Sequence, residues 1–262
     1  MFFDTHAHLT TEYYKKDEIE EILKNDIVVN IVGFDLDSSK EALEIASAHK
    51  NCFSSCGFHP YDVSKADNES LKDLTELLKD EKVVALGEIG LDYYRDIVPK
   101  NIQQKFFALQ LELAKQSGLP FVIHSRMAFS DTLSILNNVG YYNGIFHSFD
   151  YGKEELKKVL DCGLYVSFSG MVTFKGRDDL KEALLFVPTD RVLFETDSPY
   201  LTPVPLRGKK NTPLNVGIVY KFFSNIRGID LETLEQIVCN NVFKVFKKTN
   251  NFIEKEKICS KY

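Results

Sequence analysis

Residues 2–8 read FFDTHAH, an apolar start that leads into two histidines two positions apart, His6 and His8. Side chains at positions i and i+2 of a β-strand point to the same face of the strand. Two imidazoles at this spacing can therefore hold one metal ion from one face of the chain. The stretch predicts a strand that carries metal ligands at its carboxyl end.

Four later apolar runs end in the same way, with a histidine or a carboxylate just beyond the last apolar residues. The residues at these ends are Glu88, His124, His147 and Asp197. One such run would carry little information. Five strand-like runs with metal-ligating side chains at their ends predict a metal centre at one end of a sheet or barrel.

Short apolar runs alternate with amphipathic, helix-like stretches along the whole chain, such as the segment 101–117. The predicted strands are 2–6, 27–33, 52–57, 83–88, 120–124, 144–147, 163–168 and 191–196. Alternation of strands and helices predicts a parallel α/β sheet. Eight units in about 250 residues favour a closed (β/α)8 TIM barrel. A doubly wound open sheet is the alternative, although it would not easily gather ligands from its first and last strands.

The 262 residues are enough for one large domain, and no linker or low-complexity segment divides them. We predict a single metal-dependent hydrolase barrel over residues 1–250. A final helix at 230–248 is expected to pack outside the barrel, and the polar tail at 251–262 is expected to fray.

Composition and charge indicate where the protein works. The apolar runs are shorter than a membrane span, and the start does not have the pattern of a signal peptide. Five cysteines without a CxxC pair predict reduced thiols. We expect a cytoplasmic protein with no membrane contact and no obligate protein partner. The net charge of −6 gives no overall basic surface, but bound divalent ions would reverse the sign within the site.

Histidine and carboxylate ligands without thiolates suit zinc, manganese or magnesium. Six ligands exceed the needs of one tetrahedral ion, so we predict two divalent metal ions per chain. Glu88, from the middle of the strand order, is expected to bridge them. The first and eighth strands become neighbours when the barrel closes, so one ion is assigned to His6, His8 and Asp197, and the other to His124 and His147.

Such a pair of ions can clamp a phosphoryl group and activate a shared water molecule. Asp197 is expected to accept the proton of that water, and Glu88 and Asp197 are the predicted catalytic residues. The centre keeps a positive charge after its carboxylates are counted, which favours an anionic substrate.

Four more residues are predicted at the open end of the barrel as substrate-binding or auxiliary metal residues. They are His59 after the third strand, Tyr94 after the fourth, Glu195 near the end of the eighth, and Arg207 in the proline-rich loop beyond it. Arg207 can meet phosphates and Tyr94 can stack on a base. Each of the four could instead have a purely structural role, in a turn, in packing, in an ion pair or in a solvated loop, respectively.

Longer motifs resemble a known family. They are DTHAH at 4–8, GFHP at 57–60, GEIGLDYY at 87–94, PFVIHSR at 120–126, FHSF at 146–149 and ETDSPYLTP at 195–203. Together they resemble the TatD family of metal-dependent hydrolases, which have amidohydrolase-type barrels. The resemblance implies a divalent-metal deoxyribonuclease, often an exonuclease on single strands that is linked with DNA repair. It also implies metal ligation at the six predicted ligands.

Three functions remain open at this point. The first is a metal-dependent deoxyribonuclease that uses a metal-activated water, with 3′–5′ exonuclease action on single-stranded DNA. The second is a barrel hydrolase acting on another ester bond, such as an aminoacyl-tRNA ester. The third, a non-catalytic metal-binding scaffold, is disfavoured because such a protein could lose ligands without penalty.

Overall fold

The computed structural model describes residues 1–253, in which eight parallel strands alternate with helices. The strands are β1 (Phe2–Ala7), β2 (Ile27–Val32), β3 (Cys52–Cys56), β4 (Val83–Asp92), β5 (Phe121–Arg126), β6 (Gly144–Phe146), β7 (Tyr165–Phe168) and β8 (Val192–Phe194). They pair in sequence order, from β1 to β8. Every predicted strand is present, and β4 runs on to Asp92, beyond its predicted end at Glu88.

The helices lie between the strands and after the last one. They are α1 (Lys16–Leu23), α2 (Leu36–Ala48), α3 (Asn68–Leu77), α4 (Lys100–Ser117), α5 (Phe129–Val139), α6 (Lys153–Asp161), α7 (Asp178–Phe186), α8 (Val216–Arg227) and α9 (Leu231–Val245). Gly118 ends α4 with a φ of 68°, a left-handed conformation that glycine adopts without strain. The predicted final helix is α9, which packs against β1 and β8.

The barrel closes where β8 meets β1. Ala7 and Ser198 form a parallel bridge, and the Asp197 N–H donates to the His6 carbonyl at 3.0 Å. The buried Asp4 carboxylate strengthens this junction, since its Oδ1 accepts the Thr196 N–H at 2.9 Å. The prediction of a single-domain (β/α)8 TIM barrel is confirmed, and closure brings the first and last strands side by side.

Apolar side chains fill the space inside the sheet and between the sheet and the helices. The large, fully buried aromatic residues include Phe53, Phe121, Phe146, Phe168 and Phe194. A packed interior of this kind leaves the carboxyl ends of the strands as the place for a site. This end is called the mouth below.

Three further expectations concern membrane contact, the cysteines and the C-terminal tail. No helix within residues 1–253 is long and apolar enough to cross a membrane. Cys52, Cys56 and Cys162 are free, but Cys239 is disulfide-bonded, so the prediction of reduced thiols is wrong at that position. The predicted tail at 251–262 lies outside the described residues from residue 254 onward.

Candidate metal centre

The mouth brings together all six predicted ligands, which are far apart in the sequence. Glu88 lies within β4, where the pairing register with β5 shifts between Leu86 and Ile89. Irregularities of this kind commonly redirect a side chain near a functional site. The other five ligands surround its carboxylate from β1, β5 and the segments that follow β1, β6 and β8: His6, His124, His8, His147 and Asp197.

The two carboxylate oxygens of Glu88 divide the histidines into two pairs. Oε1 lies 2.7 Å from His124 Nδ1 and 2.8 Å from His147 Nε2. Oε2 lies 3.4 Å from His6 Nε2 and 3.5 Å from His8 Nε2. Glu88 therefore stands between two groups of imidazole nitrogens, which is the position of a carboxylate that bridges two ions.

Asp197 completes the group on the β1 side. Its Oδ1 lies 3.6 Å from His8 Nε2 and 3.9 Å from His6 Nε2. Its backbone has a φ of 53°, a left-handed conformation that aspartate tolerates better than most residues. The ligand atoms of His6, His8 and Asp197 all lie within 4.8 Å of one another, close enough to share one ion.

Three of the histidines have a hydrogen-bond acceptor behind the ring, which determines the tautomer of the neutral form. The pairs, each at 3.0 Å, are His8 Nδ1 with the Val32 carbonyl, His124 Nε2 with Asp92 Oδ2, and His147 Nδ1 with Glu195 Oε1. When a ring nitrogen donates its proton to such an acceptor, the other nitrogen of the neutral ring carries a lone pair. In all three residues that other nitrogen faces Glu88, as metal ligation requires.

His6 gives the most direct test of whether a metal fits. Both of its ring nitrogens are buried without a hydrogen-bond partner among residues 1–253. Burial, the largest cause, lowers the pKa of His6 to about 4, so the ring is neutral at physiological pH. Buried polar atoms normally have a partner, and a cation near His6 Nε2 would supply one. The six residues thus fit divalent ions by chemistry and by geometry.

The carboxylates at the centre have opposite pKa shifts. Burial raises the pKa of Glu88, but the charge of His147 and the hydrogen bonds from His124 and His147 outweigh it and hold the pKa well below its usual range. Burial raises the pKa of Asp197 to about 8, and the charge of Glu88 adds to the shift. A divalent cation would stabilise the ionised form of both groups.

His59 reaches the same carboxylate in a different way. Its Nδ1 accepts the Tyr61 N–H at 3.1 Å, so the proton of the neutral ring is on Nε2. Nε2 lies 3.7 Å from Glu88 Oε1, and burial lowers the pKa of His59 to about 3. His59 therefore presents an N–H donor to the centre, whereas the neutral forms of His8, His124 and His147 present lone pairs.

The remaining predicted residues are set apart from the six. Glu195 is fully buried behind His147. Tyr94 is 57% exposed at the rim, with its ring centroid 3.8 Å from the Arg126 guanidinium carbon. Arg207 is also exposed, with its guanidinium carbon 4.2 Å from the centre of the Phe174 ring. The structure places Tyr94 and Arg207 around the mouth and Glu195 beneath it.

Sequence reasoning missed Asp92, the buried acceptor behind His124. The backbone of Asp92 is also held in place, since its N–H donates to Gln103 Oε1 at 2.8 Å. The period-2 spacing from Glu88 could have identified it, because alternate residues of a strand share a face. It was overlooked because β4 was expected to end at Glu88.

Comparisons with known proteins agree with this geometry. A family model described as "TatD related DNase" matches residues 3–247. The chain is 39% identical to "Uncharacterized metal-dependent hydrolase YabD" of Bacillus subtilis, covering 94% of this chain and 99% of the relative. It is 36% identical to "Uncharacterized metal-dependent hydrolase YcfH" of Escherichia coli, covering 93% and 94%. The crystal structure of the TatD homologue YjjV from Escherichia coli superimposes with a TM-score of 0.88 at 25% identity, covering 94% and 98%.

Proposed function

Because this chain belongs to the family of TatD-related DNases, we propose that it is a deoxyribonuclease that acts on single-stranded DNA. Like the relatives it resembles, it is a metal-dependent hydrolase. The observation that carries the proposal is the Glu88 carboxylate, whose two oxygens each face two histidines. Trimming of single-stranded ends would serve DNA repair and turnover, and this is the role that we propose.

The proposed centre holds two divalent ions, of zinc, manganese or magnesium. His6, His8 and Asp197 would hold one, His124 and His147 the other, and Glu88 would contact both. When bound, such a pair of ions binds a phosphate and lowers the pKa of a water molecule towards ~7. The six residues supply the charge and the tautomers that this chemistry needs.

The chain's own residues divide the remaining work. Asp197 is assigned as the proton acceptor because its side chain is 16% exposed, against 3% for Glu88. His59 is assigned to donate from Nε2 to a substrate phosphate oxygen, since Nδ1 is occupied by the Tyr61 N–H. Glu195 is assigned to hold His147 in the tautomer that exposes the Nε2 lone pair.

Two residues at the rim suit a nucleic-acid strand. The exposed Tyr94 ring, backed by the Arg126 guanidinium, offers a flat face to an unpaired base. Arg207 is exposed and can contact a phosphate. Stacking of this kind needs a base that is free of its partner, which favours single strands over duplex DNA.

The proposal is tested with single-stranded DNA labelled at its 5′ end and incubated with manganese or magnesium. We expect stepwise shortening from the 3′ end, slower digestion of a blunt duplex of the same sequence, and no digestion without a divalent ion. Cleavage at internal positions would exclude the exonuclease assignment. No cleavage at all would contradict the deoxyribonuclease and favour an ester hydrolase, which an aminoacyl-tRNA substrate would then detect.

Asp92 provides a prediction about the support of His124. Asp92→Asn keeps the side-chain shape but removes the negative charge behind Nε2, which makes His124 a weaker ligand. We expect metal affinity or activity to fall by about 10- to 100-fold. Calorimetric titration with manganese measures the affinity, and steady-state kinetics measures the activity.

The matched control is Asp131→Asn. Asp131 lies at the start of α5, and its Oδ2 accepts hydrogen bonds from the Tyr93 hydroxyl at 2.7 Å and from Gln104 Nε2 at 2.9 Å. We expect this variant to bind manganese like the wild type. Equal affinities for both variants and the wild type would show that Asp92 does not support His124.

A further inference from the structure

Tyr200 is a half-exposed aromatic residue beside the metal centre. It follows Asp197 by three residues, and its N–H donates to the Asp197 carbonyl at 2.9 Å. Its ring centroid lies 6.3 Å from that of His8, and 49% of the residue is exposed. A short turn therefore fixes Tyr200 to Asp197, and the neighbouring rings place it beside His8.

A second tyrosine braces this ring. The rings of Tyr13 and Tyr200 meet edge to face, with centroids 5.8 Å apart, and their hydroxyl oxygens are 3.1 Å apart. Tyr13 is itself packed against Phe34, with ring centroids 6.2 Å apart. Tyr200 is thus supported on one side while about half of its surface stays open at the mouth.

Tyr200 and Tyr94 lie on opposite sides of the metal centre. Tyr94 follows β4 and Tyr200 follows β8, and these two strands are half a turn apart in a closed barrel of eight strands paired in order. His124 and Asp92 lie on the Tyr94 side, and His8 lies on the Tyr200 side. Glu88 stands between the two groups.

We propose that Tyr200, braced by Tyr13, is a second base-stacking subsite. The inference rests on the proposed function and extends it: an unpaired strand crosses the mouth with one base on Tyr94 and another on Tyr200. The phosphate between them then lies over the metal centre. Every base has a flat aromatic face, so two such platforms select single strands without selecting a sequence.

The test compares Tyr200→Ala and Tyr200→Phe with the wild type on two substrates. One is a short single-stranded oligonucleotide, and the other is an oligonucleotide of the same length in which every residue is abasic, so that it has phosphodiester bonds but no aromatic ring. The ratio of the two kcat/KM values is the readout, because damage to the metal centre lowers both values together. We expect Tyr200→Ala to lower the ratio by about 5- to 150-fold, and Tyr200→Phe to keep it.

The control variant is Tyr142→Ala. Tyr142 is 41% exposed but precedes β6, so it lies at the end of the barrel opposite the mouth. We expect its ratio to match that of the wild type. An unchanged ratio for Tyr200→Ala would overturn the subsite, since it would show that no base stacks on Tyr200. An equal loss for Tyr200→Phe would also overturn it, since the effect would then belong to the hydroxyl group.

An oligonucleotide with an abasic residue beside the cleaved bond completes the experiment. If the base stacks on Tyr200, its removal slows the wild type but has little further effect on Tyr200→Ala. Additive losses would overturn the subsite. Failure of the proposed function looks different: the wild type itself would hydrolyse bis(p-nitrophenyl) phosphate, a small phosphodiester that is not a nucleic acid, and leave every oligonucleotide intact, which also overturns the subsite.

Discussion

Replacement of Glu88 by glutamine is expected to lower kcat/KM by about 10²- to 10³-fold or more. Glutamine has the shape of glutamate but carries no charge, and its amide nitrogen would face the lone pairs of one histidine pair. In Glu88, one oxygen faces His124 and His147 and the other faces His6 and His8. Because the amide nitrogen replaces one of these oxygens, the variant side chain could no longer contact two cations. Steady-state kinetics on single-stranded DNA with saturating manganese measures the effect.

Glu112→Gln is the control for this variant, because Glu112 is exposed on α4 and the change in charge is the same. We expect normal activity from it. Circular dichroism and thermal melting of both variants establish that the barrel is intact. Near-normal turnover by both Glu88→Gln and Glu88→Ala would show that the centre does not form around this carboxylate.

Removal of divalent ions by exhaustive chelation is expected to abolish hydrolysis, and manganese, zinc or magnesium is expected to restore it. Both ring nitrogens of His6 are buried without a hydrogen-bond partner among the described residues, and a bound divalent ion would give Nε2 a partner. Metal analysis of the restored protein should give about two ions per chain. Full activity after chelation, with metal content verified, would contradict the proposed centre.

The affinity of the centre for manganese, measured by calorimetric titration, is predicted to depend on pH. Glu88 and Glu195 act against burial and hold the pKa of His147 well above its usual range, while burial raises the pKa of Asp197 to about 8. Both groups must lose their protons before they can ligate a metal. Manganese affinity should therefore rise as the pH increases towards about 8. Affinity that falls over this range would contradict the assignment of these ligands.

Much of the site was readable from local sequence because strand geometry is local. The spacing of His6 and His8 predicted a shared face, and the end of each apolar run predicted which residues reach the mouth. The strand count predicted the barrel, and barrel closure predicted that Asp197 would meet the two histidines. None of these steps needs a rotamer or a long-range contact.

The tertiary structure decided the rest, because hydrogen bonds between distant side chains depend on the packing of the whole barrel. Glu195 was predicted at the open end of the barrel as a substrate-binding or auxiliary metal residue, and the structure shows it buried behind His147, which is 48 residues away in the sequence. Asp92 acquired a role only because β4 extends to reach His124. The proton of the neutral His59 ring is on Nε2 because Nδ1 accepts the Tyr61 N–H. Sequence determined which residues reach the mouth, and packing determined which atom each one presents there.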